Sequence, residues 1–417
     1  MRPVRYGIYG LMAFAVLSFG GVEPWKQAAL EIGTAILAVA WAVIVVRRGK
    51  LEIVWNWMYV PLAGLSLVAL GQCVFKLSVY PYLTKMELLR LITYTMICFL
   101  AVESFRTEGH AKQLMWFLAT LGFVVAVFGI VQHLTFNGRL YWLVQAPEGT
   151  NPFGPFIDPD HFAGFMELTV PFGLALVLFR ARRREQITLL LLFTIVGVAA
   201  VVLTGSRGGT VAVVAELLVL AFLTRVDVMQ RKTLLAIGAV VLAAGTFSAW
   251  LGVSNTIRRF EELEREGLTK QLRYSIYKDT AGIFRDHPWG GTGFGTLVVV
   301  YPRYASFYDG RVVDHAHNDY LELLADAGMV GGALGLCLIA ALYWRGLANL
   351  RGTKSAVARA AIAGALSACT GLLLHSFVDF NLHIPSNAMI FLLLACLATA
   401  SMMVPTGRRI RRASRPC

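Results

Sequence analysis

Long apolar runs, separated by short polar segments, recur along nearly the whole chain. Each approaches the roughly 20 residues that a helix needs to cross a bilayer. Twelve runs predict twelve transmembrane helices, at about residues 6–21, 28–46, 53–72, 87–103, 113–133, 160–179, 187–204, 208–224, 233–252, 324–344, 358–378 and 387–404. The first follows Arg2 and Arg5 as a signal peptide would, but no convincing small-residue cleavage site follows it, so we interpret it as a helix.

The composition agrees with this pattern. Of 417 residues, 57% are hydrophobic and 15% are charged, whereas about a quarter of the residues in soluble domains are charged. Six cysteines without CxxC spacing argue against a disulfide framework or a zinc site. The predicted fold class is an all-α polytopic membrane protein with about twelve transmembrane helices and one large, partly helical loop.

The net charge of +13 raises the possibility of a nucleic-acid partner, but its distribution argues against one. When the N-terminus is placed in the cytoplasm, most Lys and Arg fall in short inner loops and in the C-terminal tail. This is the positive-inside pattern, from which long translocated loops are exempt. The charge therefore predicts orientation, with an even number of crossings and both termini in the cytoplasm.

The spans divide the chain into three parts. Residues 1–252 carry the first nine helices, residues 253–323 form the large outer loop, and residues 324–417 carry the last three helices and the basic tail. Apolar residues at helical spacing predict an amphipathic helix over Gln271–Arg285 within the loop. A glycine-rich turn at 290–295 follows it.

The Gly-Ser-Arg-Gly-Gly sequence at 205–209 joins two predicted spans at the outer side. Ser206 can cap the second helix, whose free N–H groups carry the positive end of the helix dipole. Arg207 adds a full charge with bidentate geometry, so the turn suits a phosphate group. The structural alternative is a tight turn whose arginine reaches the lipid headgroups.

Two further cationic side chains, Arg273 and Arg285, lie on the predicted loop helix. The structural alternative is a solvated charged face, although the acidic residues nearby in sequence are poorly spaced to neutralise Arg273.

The His-Ala-His-Asn sequence at 315–318 leads into the next span, and an imidazole there can accept a proton near neutral pH.

The paired His315 and His317 leave two other interpretations open. A metal site is one, but no third ligand accompanies the pair at convincing spacing. A histidine that caps the following helix is the other.

Two further polar clusters border spans on the same side: one contains His161, and the other contains His375, Asp379 and His383. Asp379 and His375 are one helical turn apart and could hydrogen-bond, although polar groups that close helix ends are the structural alternative for both clusters.

The chain resembles the O-antigen ligase and polymerase superfamily of bacterial envelope glycosyltransferases. The shared pattern is His-Asn, nine residues, then Gly-x-x-Gly, and it corresponds here to His317-Asn318, residues 319–327 and Gly328-Met329-Val330-Gly331. The segments 286–295, 206–209 and 379–385 are also similar to segments of that family. The chain has Asp158-Pro159-Asp160-His161 where the family has an Asn-rich stretch, which argues against a donor-contacting Asn there.

The resemblance implies a bacterial inner-membrane protein that moves a glycan from undecaprenyl pyrophosphate to an acceptor hydroxyl on the periplasmic side. It implies no cofactor, no metal and no nucleotide sugar. Arg207 and Arg273 would hold the pyrophosphate, and His317 would deprotonate or orient the acceptor hydroxyl. Further substrate contacts are expected from neighbouring polar residues, namely Ser206, His315, Asn318, Arg285, His161, Asp379 and His383.

Several functions remain open at this point. The acceptor distinguishes a ligase, which uses lipid A core, from a polymerase or a protein O-oligosaccharyltransferase, and no residue decides among them. A transporter of lipid-linked glycans could use the same arginines on the outer side of the predicted spans to bind an anionic lipid. It would need polar or broken helices at mid-membrane, and the centres of the predicted spans are nearly free of charge.

Overall fold

A computed structural model describes residues 1–147, 150–181, 183–224, 238–239, 242–246, 263–307, 310 and 312–400. These residues are mostly helical, with one short hairpin of strands β1 (Arg139–Leu140) and β2 (Val144–Gln145). The α-helices are α1 (Arg2–Leu17), α2 (Pro24–Arg48), α3 (Tyr59–Val74), α4 (Pro81–Ser104), α5 (Glu108–Leu134), α6 (Pro159–Glu167), α7 (Val170–Leu178), α8 (Ile187–Thr204), α9 (Arg207–Thr224), α10 (Leu263–Asp286), α11 (Leu297–Val300), α12 (Asp319–Gly352), α13 (Ala356–His375) and α14 (Pro385–Thr399).

Among the described residues, seven helical segments are long and apolar enough to cross a bilayer. They are Pro24–Arg48, Glu108–Leu134, Pro159–Leu178, Arg184–Thr204, Arg207–Thr224, Asp319–Gly352 and Ala356–His375. This confirms an all-helical, multi-pass membrane protein, while the count of twelve spans stays a prediction. Most of the predicted ninth span and the whole basic tail lie outside the described residues.

Two predicted spans differ from the observed helices in an informative way. The apolar run at 160–179 consists of α6 and α7, and the chain breaks between them at Leu168 and Thr169. Pro171 stands in the first turn of α7, where its missing N–H breaks no helical hydrogen bond. The run at 324–344 belongs to α12, which is longer at both ends because it begins in the polar sequence at Asp319 and continues to Gly352.

A kink at Gly328 interrupts α12, and the glycine-rich turn packs against the helix at this kink. Gly328 has φ 62° and ψ −161°. A Cβ at this position would lie 2.4 Å from the backbone carbon of Trp289. The freed amide of Met329 donates to the carbonyl of Pro288 at 2.7 Å. Only glycine combines this conformation with so close an approach, which gives the first glycine of the Gly-x-x-Gly pattern a physical role.

Helix α14 occupies the centre of the bundle, since every one of its residues is buried. The preceding helix α13 packs against it and is buried along most of its length. The short connection between α13 and α14 therefore lies at the centre of one end of the bundle. Close contacts bring other helix termini to this same end: Gly164 of α6 meets Asn381, and Gly208 of α9 meets the ring of His375.

The kink generates a direct test. We expect Gly328→Ala to be strongly destabilising, because positive φ costs a non-glycine residue roughly 1–3 kcal/mol and the new Cβ meets backbone atoms. The measurement is the thermal unfolding midpoint of the purified protein in detergent. Gly352→Ala, at the end of the same helix with nothing within 4 Å of its Cβ position, is the matched control. Equal midpoints for the two variants would contradict the role assigned to the kink.

Candidate active site

The connection between α13 and α14, residues 375–383, is the frame of the candidate site, and we call it the 375–383 segment. Four of its polar residues are buried, with His375, Ser376, Asp379 and Asn381 each at most 1% exposed. Buried polar groups persist only when they are hydrogen-bonded or paired, so the partners of this segment identify the residues that gather around it.

Asp379 is the most heavily contacted member of the segment. Its Oδ1 lies 3.4 Å from Nδ1 of His317, and its Oδ2 lies 3.7 Å from Nε2 of His161. The amide of Asn381 also donates to Oδ2, at 3.2 Å. Burial alone would raise the pKa of Asp379, but nearby His161 and the hydrogen bond from His317 hold that pKa well below its usual range. An ionised carboxylate thus joins two of the predicted histidines.

His317 is held in a strained backbone conformation. Its φ is 50°, a region that non-glycine residues rarely adopt and that is concentrated at functional sites. The hydroxyl of Tyr277, on α10, donates to the His317 carbonyl at 2.9 Å. The ring remains about one quarter exposed. The loop helix therefore holds the backbone of His317 and Asp379 holds its ring, while one side of the ring stays open.

The ring of Phe380 lies among three of the predicted histidines. Its centroid is 4.3 Å from that of His315, 4.6 Å from that of His161 and 4.9 Å from that of His317. Phe380 is itself buried. A rigid aromatic ring at this position restricts the rotamers of the imidazoles around it, so their spacing is set by packing as well as by hydrogen bonds.

His315 and His383 belong to a second, adjoining network. Nδ1 of His315 lies 2.8 Å from Oε1 of Glu322, and the same oxygen is 3.3 Å from Nε2 of His383. Nδ1 of His383 lies 2.8 Å from Oδ1 of Asp319. Burial alone would lower the pKa of His383, but the carboxylates of Glu322 and Asp319 raise it to about 10. His383 is consequently a fixed cation at neutral pH.

This second network has ligand types that suit a metal ion. Ligand atoms of His315, Glu322 and His383 all lie within 4.8 Å of one another, and two imidazoles with one carboxylate form a known zinc donor set. The sequence provided no third ligand for the His315–His317 pair, and the structure places Glu322 and His383 beside His315 instead. The hydrogen bonds already described account for the same close approach without an ion.

Arg273 projects from α10 toward the 375–383 segment. Its guanidinium donates to the carbonyl of Val378 at 3.3 Å and lies 3.6 Å from the carboxylate of Asp160. Asp160 stands in the first turn of α6, far from Arg273 in sequence. The neutralising partner is therefore a tertiary contact, and nothing in the sequence links Asp160 to Arg273.

Arg207 stands at the first position of α9, next to the 375–383 segment. Ser206 caps this helix as predicted, because its Oγ accepts from the amide of Gly209 at 2.9 Å. A Cβ at Gly208 would lie 2.6 Å from the His375 ring and 2.9 Å from Val378. The turn therefore packs directly against the segment that Arg273 contacts, and the exposed Arg207 side chain begins one residue away.

Not every predicted site residue joins this centre. Asn318 caps α12, since its Oδ1 accepts from the amide of Leu321 at 3.0 Å, and its amide group donates to the carbonyl of Phe377 at 2.9 Å. Asn318 therefore has a positioning role in the fold, and its contact with substrate stays a prediction. Arg285 is exposed and lies twelve residues beyond Arg273, about 18 Å along the helix axis at 1.5 Å per residue.

Asp379 and His375 could hydrogen-bond by their spacing, and they do so through the backbone, where the amide of Asp379 donates to the carbonyl of His375 at 3.1 Å. Their side chains have other partners. Nδ1 of His375 lies 2.7 Å from Oε1 of Glu167 at the end of α6, and both residues are fully buried. Asp379 faces His317 and His161 instead. Spacing by one helical turn does not bring the side chains together because α13 ends at His375 and the chain then turns away from the helix axis.

Sequence reasoning missed several polar members of the site: Asp160, Glu167, Asp319, Glu322 and Tyr277. Two of them carry a usable signal, because Asp319 and Glu322 are acidic residues in the first turn of a long helix that directly follows the histidine pair. Glu167 gives another, since a carboxylate inside an apolar run requires a partner. The pairing of each with its particular histidine depends on tertiary contacts.

The geometry defines an all-helical, multi-pass membrane protein with a cation-bearing polar site at one end of its bundle. Residues 189–336 match the model of a family described as O-antigen ligase. The match covers only this part of the chain, and it confirms the resemblance noted in the sequence. The matched segment contains Arg207, Arg273 and His317. No curated protein sequence matches the chain.

The charged state of His383 generates a pH test. A folded pKa near 10, against an ordinary value of 6.5, gives a stabilisation that is complete below pH 6.5 and is lost as the pH rises through 10. His383→Gln should therefore lower the thermal unfolding midpoint most at pH 6, and the difference from the wild type should shrink toward pH 10.5. A difference that does not change with pH would contradict the assigned charge.

Proposed function

We propose that the protein is an O-antigen ligase-like glycosyltransferase that moves a glycan from undecaprenyl pyrophosphate to an acceptor hydroxyl. The observation that carries the proposal is the gathering of Arg207, Arg273 and His317 around one buried segment, within and beside the matched family region. The acceptor is lipid A core or another lipid-anchored glycan. Donor and acceptor are both membrane-associated, so the bilayer and its lipids form part of the working environment.

In the proposed reaction, the acceptor oxygen attacks the anomeric carbon of the donor. The new glycosidic bond forms as the bond from that carbon to the pyrophosphate oxygen breaks, and undecaprenyl pyrophosphate leaves with the bonding electrons. The proton of the acceptor hydroxyl passes to the imidazole of His317. Asp379, 3.4 Å from the other side of this ring, orients it and stabilises the imidazolium that forms.

The two arginines would act on the leaving group. Negative charge grows on the pyrophosphate as the glycosyl bond breaks, and a fixed cation stabilises that charge more in the transition state than in the ground state. Arg273 already has a loose contact of 3.6 Å with Asp160, which a pyrophosphate oxygen would replace. His161 and Ser206 are proposed as further substrate contacts.

The distribution of charge supports a periplasmic active site in the bacterial inner membrane, with both termini in the cytoplasm. Basic residues cluster at the end of the bundle opposite the site: Arg47 and Arg48 close α2, Lys112 lies in the first turns of α5, and Arg351 lies in the last turn of α12. Such residues face the cytoplasm in polytopic membrane proteins. Nucleotide-driven chemistry is therefore not expected at the periplasmic end, where the site lies.

Substitution of the three central residues tests the proposal. We expect His317→Gln to lower the transfer rate roughly 10²–10⁴-fold. Arg207→Gln and Arg273→Gln should each lower it roughly 10- to 100-fold, because a charge-assisted hydrogen bond contributes about 1.5–3 kcal/mol. The measurement is glycan transfer from undecaprenyl pyrophosphate to a lipid-anchored acceptor in proteoliposomes.

The chain offers matched controls for these variants. Lys278→Gln removes an exposed cation from another side of α10, and His110→Gln removes an imidazole from the first turn of α5, at the opposite end of the bundle. Both should transfer at the wild-type rate. Wild-type transfer by any of the three site variants would remove that residue from the mechanism.

The proposed chemistry needs no metal, because the donor is already activated and the arginines stabilise the negative charge on the leaving pyrophosphate. We expect transfer to be unchanged after prolonged treatment with EDTA, followed by dialysis into metal-free buffer. Glu322→Gln should lower the unfolding midpoint, since it removes the shared carboxylate of His315 and His383. Loss of transfer on chelation, restored by Zn²⁺ in the wild type but not in Glu322→Gln, would assign the second network to a metal.

A further inference from the structure

A large apolar cavity lies beside the candidate site, between α3, α4, α12 and α14, and we call it the lateral groove. Its volume is about 510 Å³, and its walls are mainly leucine and other aliphatic side chains. Leu336 and Met329 of α12 line it and are 68% and 40% exposed, so the groove opens on the side of the bundle. On a membrane-spanning helix that side faces the hydrocarbon of the bilayer.

One end of the lateral groove is polar. It is lined by Glu87, Arg90, Asp319, Asp326 and His383. Ionisable residues within membrane helices are energetically costly, and they commonly line the pathway of a substrate or an ion. His383 and Asp319 also belong to the network described above, and the ring of His383 is 4.8 Å from that of His315. The polar end of the groove thus borders the candidate active site directly.

The charges at this end do not suit an anionic headgroup. Arg90 is paired with Glu87 at 2.8 Å, and His383 is paired with Asp319 at 2.8 Å. The remaining acidic side chain, Asp326, is 2% exposed, and its Oδ1 has no hydrogen-bond partner among the described residues. Its other oxygen accepts from the amide of Gly295 at 2.7 Å. A buried acceptor without a partner is unfavourable, and a hydroxyl group of a ligand would satisfy it.

We propose that the lateral groove binds the lipid-anchored acceptor, with hydrocarbon chains along α12 and an uncharged, hydroxyl-bearing sugar at Asp326. This rests on the proposed function and narrows its acceptor to a lipid-anchored glycan other than lipid A core, because the phosphates of lipid A core make its headgroup anionic. The pyrophosphate of the donor is bound on the other flank by Arg207 and Arg273, so the two substrates approach His317 from different sides. A second polyprenyl-pyrophosphate glycan, as a polymerase would use, would place a pyrophosphate among carboxylates.

Photo-crosslinking of the full-length protein in nanodiscs tests the assignment without requiring catalysis. The probes are diglucosyl diacylglycerol, phosphatidylglycerol and undecaprenyl pyrophosphate, each with a diazirine in one hydrocarbon chain. We expect the glycolipid to label the groove-lining residues of α12, between Met329 and Ile339, at least fivefold more than either anionic probe. Stronger labelling there by undecaprenyl pyrophosphate, or equal labelling by all three, would overturn the proposal.

Variants separate the groove from the rest of the membrane surface. Ala333→Trp fills the groove and should abolish glycolipid labelling, whereas Val330→Trp, an exposed position on α12 outside the groove lining, should leave it unchanged. Asp326→Asn keeps the shape of the polar end, and it should lower labelling severalfold even if Ala333→Trp fails to fold. Wild-type labelling of Asp326→Asn would overturn the role of this residue.

The same variants distinguish failure of the groove from failure of the proposed function. In the transfer assay, Ala333→Trp should raise the KM for the lipid-anchored acceptor, while the KM for the donor stays unchanged. Loss of labelling with an unchanged acceptor KM would overturn the groove assignment and leave glycosyl transfer intact. Selective glycolipid labelling of a protein that transfers no glycan would support the groove and count against the proposed function.

Discussion

The buried carboxylate of Asp379 is the constraint on which the site depends. An ionised group at 1% exposure requires cationic or hydrogen-bonding partners from several directions, since its burial is otherwise strongly unfavourable. His317 reaches it from the start of α12, His161 from α6, and Asn381 from within the 375–383 segment. The need to satisfy one carboxylate therefore brings together elements that are separated by more than 200 residues in the chain.

Rigidity around this carboxylate comes from backbone geometry. The kink at Gly328 accommodates the turn at 286–295, which follows α10, and Tyr277 of α10 holds the carbonyl of His317 at 2.9 Å. The first glycine of the Gly-x-x-Gly pattern thus acts through the path of the chain. A strained φ at His317 and a packed Phe380 ring restrict the orientation of the imidazole, as its proposed role of general base requires.

Hydrophobic patterning predicted the seven long apolar helices among the described residues, because span length is fixed by the bilayer and needs no tertiary information. It predicted α8 to the residue. Arg207 and His317 stood out as polar residues at span ends, and Arg273 as a cation on the predicted loop helix. Partner choice was not predictable in this way. His375 pairs with Glu167 rather than Asp379, and Arg273 meets Asp160, because these pairs form where separate helices meet, and no local spacing encodes such a meeting.

The central claim is that Arg207 and Arg273 face one pyrophosphate site beside His317. A cryo-EM map of the wild-type protein in nanodiscs with undecaprenyl pyrophosphate tests it most directly. The account predicts pyrophosphate density within about 4 Å of both guanidinium groups, on the exposed side of the His317 ring. Density confined to the lateral groove, or density in contact with neither arginine, would contradict it.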